Sequence, residues 1–322
     1  MQLQKIFLNY CSLNMNKKII TLRNFFSYRF REYPIIKREQ FLDAILPERK
    51  KIIIRAWADF NNGKVVKKNN FGDDLNIWLL YSLSGAKVLN HKYLAQNKPF
   101  VLPIGSIINM ACKNNAIIWG SGVMYPDEPL KERPLKVLAV RGKLTREYLL
   151  KHNIDCPEVY GDPALLLPLV YKPKIIKKFK YGIIAHWKDE QDNEYGDLQK
   201  ILPSVKLISL TNYKNWKGVI KEFLECECIL SSSLHGLIIS DAYKIPNLWI
   251  EFSKPVGGNR FKFFDYYSSV NKVITGPLKI DNTIKLESIE KLLEDYKYIK
   301  IDLLPLLQAA PFKVLKKYLN MF

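Results

Sequence analysis

The sequence predicts an α/β protein of two Rossmann-like domains facing a cleft, completed by C-terminal helices. Short apolar runs alternate with helix-period segments from residue 51 onward, which is the rhythm of strands and crossover helices in parallel sheets. The rhythm stops at a basic, proline-marked stretch, YKPKIIKKFK at 171–180, and then restarts in the same style. At 322 residues, 48% of them hydrophobic, the chain is long enough to bury two ordinary cores.

Residues 1–50 form a basic N-terminal segment. Within it, residues 17–38 interleave Lys17, Lys18, Arg23, Arg29 and Arg31 with Phe25, Phe26 and Phe30. That pattern suits either an interfacial segment or a solvated helix resting its aromatics on the main body. The first domain, 51–170, opens with the strand KIIIRAW, the helix DDLNIWLLYSLSG and the strand AKVLN, before a turn at Gly105 and Ser106. NAIIWGSG and LKVLAVRG read as further strands, and KLTREYLLKHNI repeats Leu144, Tyr148, Leu149 and Ile154 near helical spacing. PEVYGDPALLLPLV is a strand end, a turn and a short helix, with Pro163 at the first helical position, where a missing N–H costs nothing.

After the linker at 171–180, the second domain, 181–280, runs through YGIIAHW, VKLISLT, the helix WKGVIKEFLE and the strand CECIL. It continues with the helix LHGLIISDAYK, the strand PNLWIEF and a helix around RFKFFDYYSSV. Residues 281–322 are C-terminal helices. Leu286, Ile289, Leu292, Leu293 and Tyr296 share one helical face, and LLQAAPFKVLKKYL is expected to kink at Pro311.

The formal charge of +19 is spread along the chain and suits anionic partners, namely phospholipid, nucleic acid or a phosphorylated substrate. The basic residues form no nucleic-acid-binding motif, so no nucleic-acid partner is expected. Five cysteines, odd in number and widely spaced, suit reduced thiols, and Cys226 and Cys228 read as core residues of a strand. No apolar run reaches the length of a membrane span, and the N-terminal stretch lacks a compact hydrophobic segment with a small-residue cleavage site, so no cleavable signal is expected. The expected location is the cytoplasm, with peripheral contact at the anionic inner face of the membrane through the basic, aromatic N-terminal segment.

In open parallel sheets, ligands bind beyond the carboxyl ends of the strands, so the turns after strands are the places to look for chemistry. In NNFGDDLN, 69–76, Gly72 precedes Asp73, Asp74 and Asn76 at a helix start. Asp73 is either the N-cap or a general acid or base that can also bind a sugar hydroxyl, while Asp74 complements the helix dipole. PIGSI, with Gly105 and Ser106, and IWGSG, with Gly120 and Ser121, are either anion-cradling turns or plain tight turns. Neither is a dinucleotide fingerprint or a P-loop. Arg141, in LAVRGKLT, is either a bidentate donor aimed into the cleft or a salt bridge on its rim. Asp162, before Pro163, is fully explained as a helix cap.

ILSSSLHGLIISDAY, 229–243, then places Ser232, Ser233, Leu234 and His235 at the start of a buried helix. The positive end of a helix disfavours imidazolium, so His235 gains nothing there unless an anion is bound beside it.

Taken in order, NFGDDLN, IGS, IWGSG, VRGKLT, YGDPALLLP and SSSLHGLIISDAYKIPNLW resemble the polysaccharide pyruvyl transferase family over residues 50–252. The resemblance implies a GT-B-like arrangement of the two domains, and transfer of a pyruvyl group from phosphoenolpyruvate to sugar hydroxyls as a ketal, in making a capsule, exopolysaccharide or similar glycan. It makes Asp73 the family's acidic residue after glycine, Arg141 the arginine that holds phosphoenolpyruvate, and His235 the histidine of the Leu-His signature. Ser233 stands where some members carry arginine, and Arg260, in GGNRFKFF, is the expected replacement for that charge.

No cofactor is required beyond phosphoenolpyruvate as donor, and only Asp73 and Asp74 would offer carboxylates to Mg²⁺. The acceptor is an oligosaccharide or a lipid-linked glycan. Two alternatives remain open: a glycosyltransferase using a nucleotide sugar in the same arrangement, and a non-catalytic protein of glycan assembly.

Overall fold

The structure, a computed structural model, describes residues 32–61, 63–67, 70–187, 189, 193–252 and 260–322. Cys11 and most of the basic, aromatic stretch at 17–38 lie outside the described residues. Helix α1 (Tyr33–Ile45) is held by charge rather than by an apolar face. Its Glu39 accepts the Asn90 N–H at 2.9 Å, and its Asp43 takes Lys51 at 2.9 Å and also Lys98.

From there the chain runs through β1 (Lys51–Ile54), a hairpin of β2 (Asp59–Asn61) and β3 (Lys64–Lys67), α2 (Phe71–Ser84), β4 (Lys87–Asn90) and β5 (Phe100–Leu102). It continues with α3 (Ile108–Ala111), β6 (Ala116–Trp119), β7 (Lys136–Ala139) and α4 (Lys143–Lys151). Strands β4-β1-β5-β6-β7 form one sheet in that order, parallel throughout. A 3₁₀ turn at Pro163–Leu166 and a short helix α5 (Leu167–Val170) follow.

The second sheet comes from β8 (Phe179–Ile184), α6 (Asn193–Ile201), β9 (Val205–Leu207), α7 (Trp216–Leu224), β10 (Cys226–Ser231), α8 (Leu234–Ala242), β11 (Asn247–Glu251), α9 (Phe261–Ser269) and β12 (Leu278–Lys279). Its order is β12-β11-β10-β8-β9, again parallel. Parallel strands buried on both faces read as continuous apolar runs, as Ile183, Ile184, Ile229 and Leu230 do here. The protein is thus an α/β fold with two parallel sheets, as the alternating pattern predicts.

Several local expectations change. Strand β5 and the β2–β3 hairpin are additional to the predicted elements; β5 has three residues between prolines, and the hairpin carries an Asn-Gly pair in FNNGK. Asp73 is not the N-cap of α2: Asn70 is, its side chain accepting the Gly72 N–H at 3.2 Å. Pro311 does not kink a helix but lies between α11 (Leu304–Gln308) and α12 (Lys316–Leu319).

The C-terminal helices also divide their contacts. Ile289 of α10 (Leu286–Glu294) packs with Tyr181 and Ile250 of the second sheet, leaving Leu292 43% exposed. The last segment instead returns to the first sheet, where Trp119 Nε1 donates to the Leu306 carbonyl at 2.9 Å and the Leu315 N–H to Leu83 at 2.8 Å. Among the described residues, no helix is long and apolar enough to cross a membrane.

Candidate active site

In each sheet the strand order reverses once, between β1 and β5 in the first and between β8 and β10 in the second. Connections leave in opposite directions at such a point, so the loops splay and a crevice opens beyond the carboxyl ends. The segments after all four of these strands line one cavity of about 560 Å³, counting its mouth open to solvent. Asn70 and Asp73 come after β1 and its hairpin, Gly105 and Ser106 after β5, Ala185 to Trp187 after β8, and Ser233 to His235 after β10.

Asp73 and His235 meet here, although 162 positions separate them. Two glycines make the approach feasible. A Cβ on Gly72 would fall 1.9 Å from His235 Nδ1 and 2.2 Å from its Cγ, so the imidazole occupies the space that a side chain would take. Gly105, at φ +126°, brings its backbone to Asp73, where a Cβ would sit 2.8 Å from Oδ1. The Asn70 amide donates to Asp73 Oδ2 at 2.6 Å, so the cap residue of α2 also orients the carboxyl. Burial pushes Asp73 up to about 6; His235 and Lys262 pull its affinity for a proton down, and Asp162 adds to the rise. Its pKa therefore suits an acid or base working near neutral pH.

Asp162 is more than the expected cap. Its Oδ1 accepts the Ala164 N–H at 2.9 Å, as capping requires, while its Oδ2 lies 3.8 Å from His235 Nε2.

The positive charge of the cavity wall comes from Lys262, which is absent from the sequence-derived set, and not from the expected arginines. Arg141 has no exposed surface and does not line the cavity. Its Nε and Nη2 hold Asp265 Oδ2 at 2.9 and 2.8 Å, Nη2 donates to the Val123 carbonyl at 3.1 Å, and Nη1 donates to Ser106 Oγ at 2.5 Å. The expected salt bridge exists, but buried rather than on a rim, and it reaches the cavity only through Ser106. Arg260 pairs with Glu251 and does not line the cavity either. Lys262, two residues on in the same RFKFF stretch, takes the position expected of it because α9 carries it there. The signal available in the sequence was a lone cation between aromatics.

Other expected residues sort by the same test. Ser233 and Leu234 line the cavity, and no side-chain bond from Ser233 caps α8. Gly120, Ser121, Asp74, Asn76 and Ser232 lie behind the wall. A Cβ on Gly120 would meet Pro163, and Ser121 Oγ donates to the Leu102 carbonyl at 3.0 Å. Asn76 bonds both polar groups of Ile104, at 2.8 and 3.2 Å, which fixes the turn that presents Gly105. Asp74 accepts the Tyr213 hydroxyl at 2.5 Å, and the Phe71 N–H donates to Leu210 at 2.8 Å, so the start of α2 is latched to the loop after β9. Ser232 accepts the His186 N–H at 2.8 Å and donates to Asp189 at 2.6 Å. His186, Trp187, Thr211 and Met124 complete the wall without having been expected.

Comparison with known proteins bears on this arrangement. The family model described as polysaccharide pyruvyl transferase matches residues 18–253, which include Asp73, Arg141, Asp162 and His235. Succinoglycan biosynthesis protein ExoV of Rhizobium meliloti (strain 1021) is 27% identical over 230 residues, 69% of this chain and 68% of that protein. Uncharacterized protein L143 of Acanthamoeba polyphaga mimivirus is 31% identical over 214 residues, 63% of this chain and 71% of that protein. The match extends over the first sheet, strands β8 to β11 of the second and the turns that meet in the cavity, and on that basis the chain is an enzyme belonging to the polysaccharide pyruvyl transferase family.

Proposed function

We propose that the protein transfers the pyruvyl group of phosphoenolpyruvate to two hydroxyls of a sugar in a cell-surface polysaccharide or its lipid-linked precursor, forming a ketal. The observation that carries the reading is the meeting of Asp73, His235 and Lys262 in one cavity at the reversal points of both sheets. In this reading each sheet is the core of one domain, 51–170 and 181–280 joined by 171–180, and the cavity is the cleft between them.

Asp73, carrying its proton, donates to the methylene carbon of phosphoenolpyruvate, which becomes the methyl group. The central carbon is then electrophilic, and a sugar hydroxyl attacks it while His235 takes the hydroxyl proton. Phosphate leaves with one proton, and the second hydroxyl closes the ketal, its proton restoring Asp73. Lys262, the Ser106 hydroxyl steadied by Arg141, and the uncapped start of α8 offer donors to the phosphate and carboxylate of the donor. No step uses a metal. Trp187, 57% exposed at the cavity wall, offers the acceptor sugar a face to stack on. The net charge of +19 suits a lipid diphosphate acceptor at an anionic membrane surface.

The test is an assay of purified enzyme with phosphoenolpyruvate and a lipid-linked oligosaccharide, following phosphate release and an acidic ketal on the glycan. Lys262→Met is expected to raise the KM for phosphoenolpyruvate roughly tenfold or more, the loss of one charge-assisted contact. Turnover of a nucleotide sugar, with no phosphate from phosphoenolpyruvate, overturns the reading.

A further inference from the structure

We propose that Asp162 is a positioning residue: its Oδ2 accepts the Nε2 proton of His235, so that Nδ1 is the nitrogen left to exchange a proton with the substrate. This rests on the reading of His235 as a proton-moving group.

Capping accounts for only one of the two Asp162 oxygens. Oδ1 accepts from Ala164, but Oδ2 is sealed from solvent without a hydrogen-bond partner, and so is Nε2 of His235. Each buried polar atom left in that condition is costly, and these two face each other at 3.8 Å. The gap exceeds a hydrogen bond by less than 1 Å, on the order of the tightening that catalytic contacts undergo as a substrate complex forms. The imidazole cannot retreat, because Gly72 packs against it. Asp162 is itself fully buried, its backbone held between Gly161, whose N–H donates to Val140, and the 3₁₀ turn it caps.

The charged and titratable groups around the imidazole are Asp73 from α2, Asp162 from the cap of the 3₁₀ turn at Pro163–Leu166 and Lys262 from α9, with His186 on the same cavity wall. When Nδ1 takes a hydroxyl proton, the imidazolium formed keeps its Nε2 proton directed at the Asp162 carboxylate. The proton at Nδ1 then passes to the departing phosphate, and the imidazole is neutral again. Nothing is consumed at Asp162, which holds one tautomer and faces the positive charge while it exists.

Asp162→Asn keeps the cap oxygen and the volume while removing the charge. The expected result is a kcat lower by roughly 10²-fold or more with the KM for phosphoenolpyruvate changed less than about threefold. In ¹⁵N-histidine spectra of the full chain, His235 is expected to lose its preference for the Nε2–H tautomer. The double variant Asp162→Asn/His235→Gln should be no slower than His235→Gln alone. Wild-type kcat in Asp162→Asn, or an unchanged His235 tautomer, overturns the proposal. So does a loss of kcat matched by a fall in unfolding midpoint. If His235→Gln keeps its activity, the reading of His235 is what fails, and the spectra still report whether Asp162 holds Nε2.

Discussion

Asp73→Asn separates the cost of burying an ionisable carboxyl from its use. The rise from 3.8 to about 6 means that the folded protein binds the Asp73 proton more tightly than the unfolded chain does. At about 1.4 kcal/mol for each tenfold change in proton affinity, that difference is worth about 3 kcal/mol. The sign follows from the direction of the shift: for a carboxyl raised on folding, the stability is fully present below about pH 4 and is lost as pH rises through about 6. Above that the ionised carboxylate destabilises the wild type, and the fields of His235 and Lys262, which oppose the rise, are already included in the value.

Asparagine has nearly the same shape and cannot ionise. Urea unfolding of wild type and Asp73→Asn, from pH 4 to pH 8, should therefore show the variant more stable at pH 8 by about 1 to 3 kcal/mol, with the difference vanishing toward pH 4. Activity should fall at least 100-fold over the same range, since a proton donor is gone. A pH-independent difference, or a variant less stable than wild type at pH 8, would refute the account of burial as the force that raises Asp73.

Two further changes test how the site is held. Gly72→Ala places a Cβ 1.9 Å from His235 Nδ1, so activity should drop to the level of His235→Gln, with a destabilisation of about 1 to 3 kcal/mol by thermal unfolding; an active, fully stable variant contradicts the packing. Asp265→Asn leaves Arg141 buried without its counter-charge and should cost about 3 to 5 kcal/mol in urea unfolding, whereas a loss below about 1 kcal/mol would mean that the pair is not what anchors α9 to the turn after β7.

His235 was legible in the sequence because its place is local: a strand, a serine turn and an apolar helix fix it in the first turn of α8, where a histidine has no structural motive. Asp73 was legible as a candidate for the same kind of reason, although the cap it was offered as belongs to Asn70 three residues earlier. The cations were not. Arg141 meets Asp265 124 residues downstream, a pairing that no local pattern encodes, and its guanidinium is committed before it can reach a ligand. Lys262 and Arg260 sit two apart in one turn, and only the direction of α9 decides that the lysine meets the cavity while the arginine meets Glu251.

By itself the sequence determined the α/β rhythm of two parallel sheets, the turns worth inspecting and the histidine, because periodicity, capping and helix-end electrostatics act over a few residues. The tertiary structure alone decided which charges line the cavity and which pair with each other away from it. Ion pairing and burial depend on what the fold brings within a few ångströms, and Arg141 with Asp265, like Asp162 with His235, exists only once the two sheets and their loops are packed.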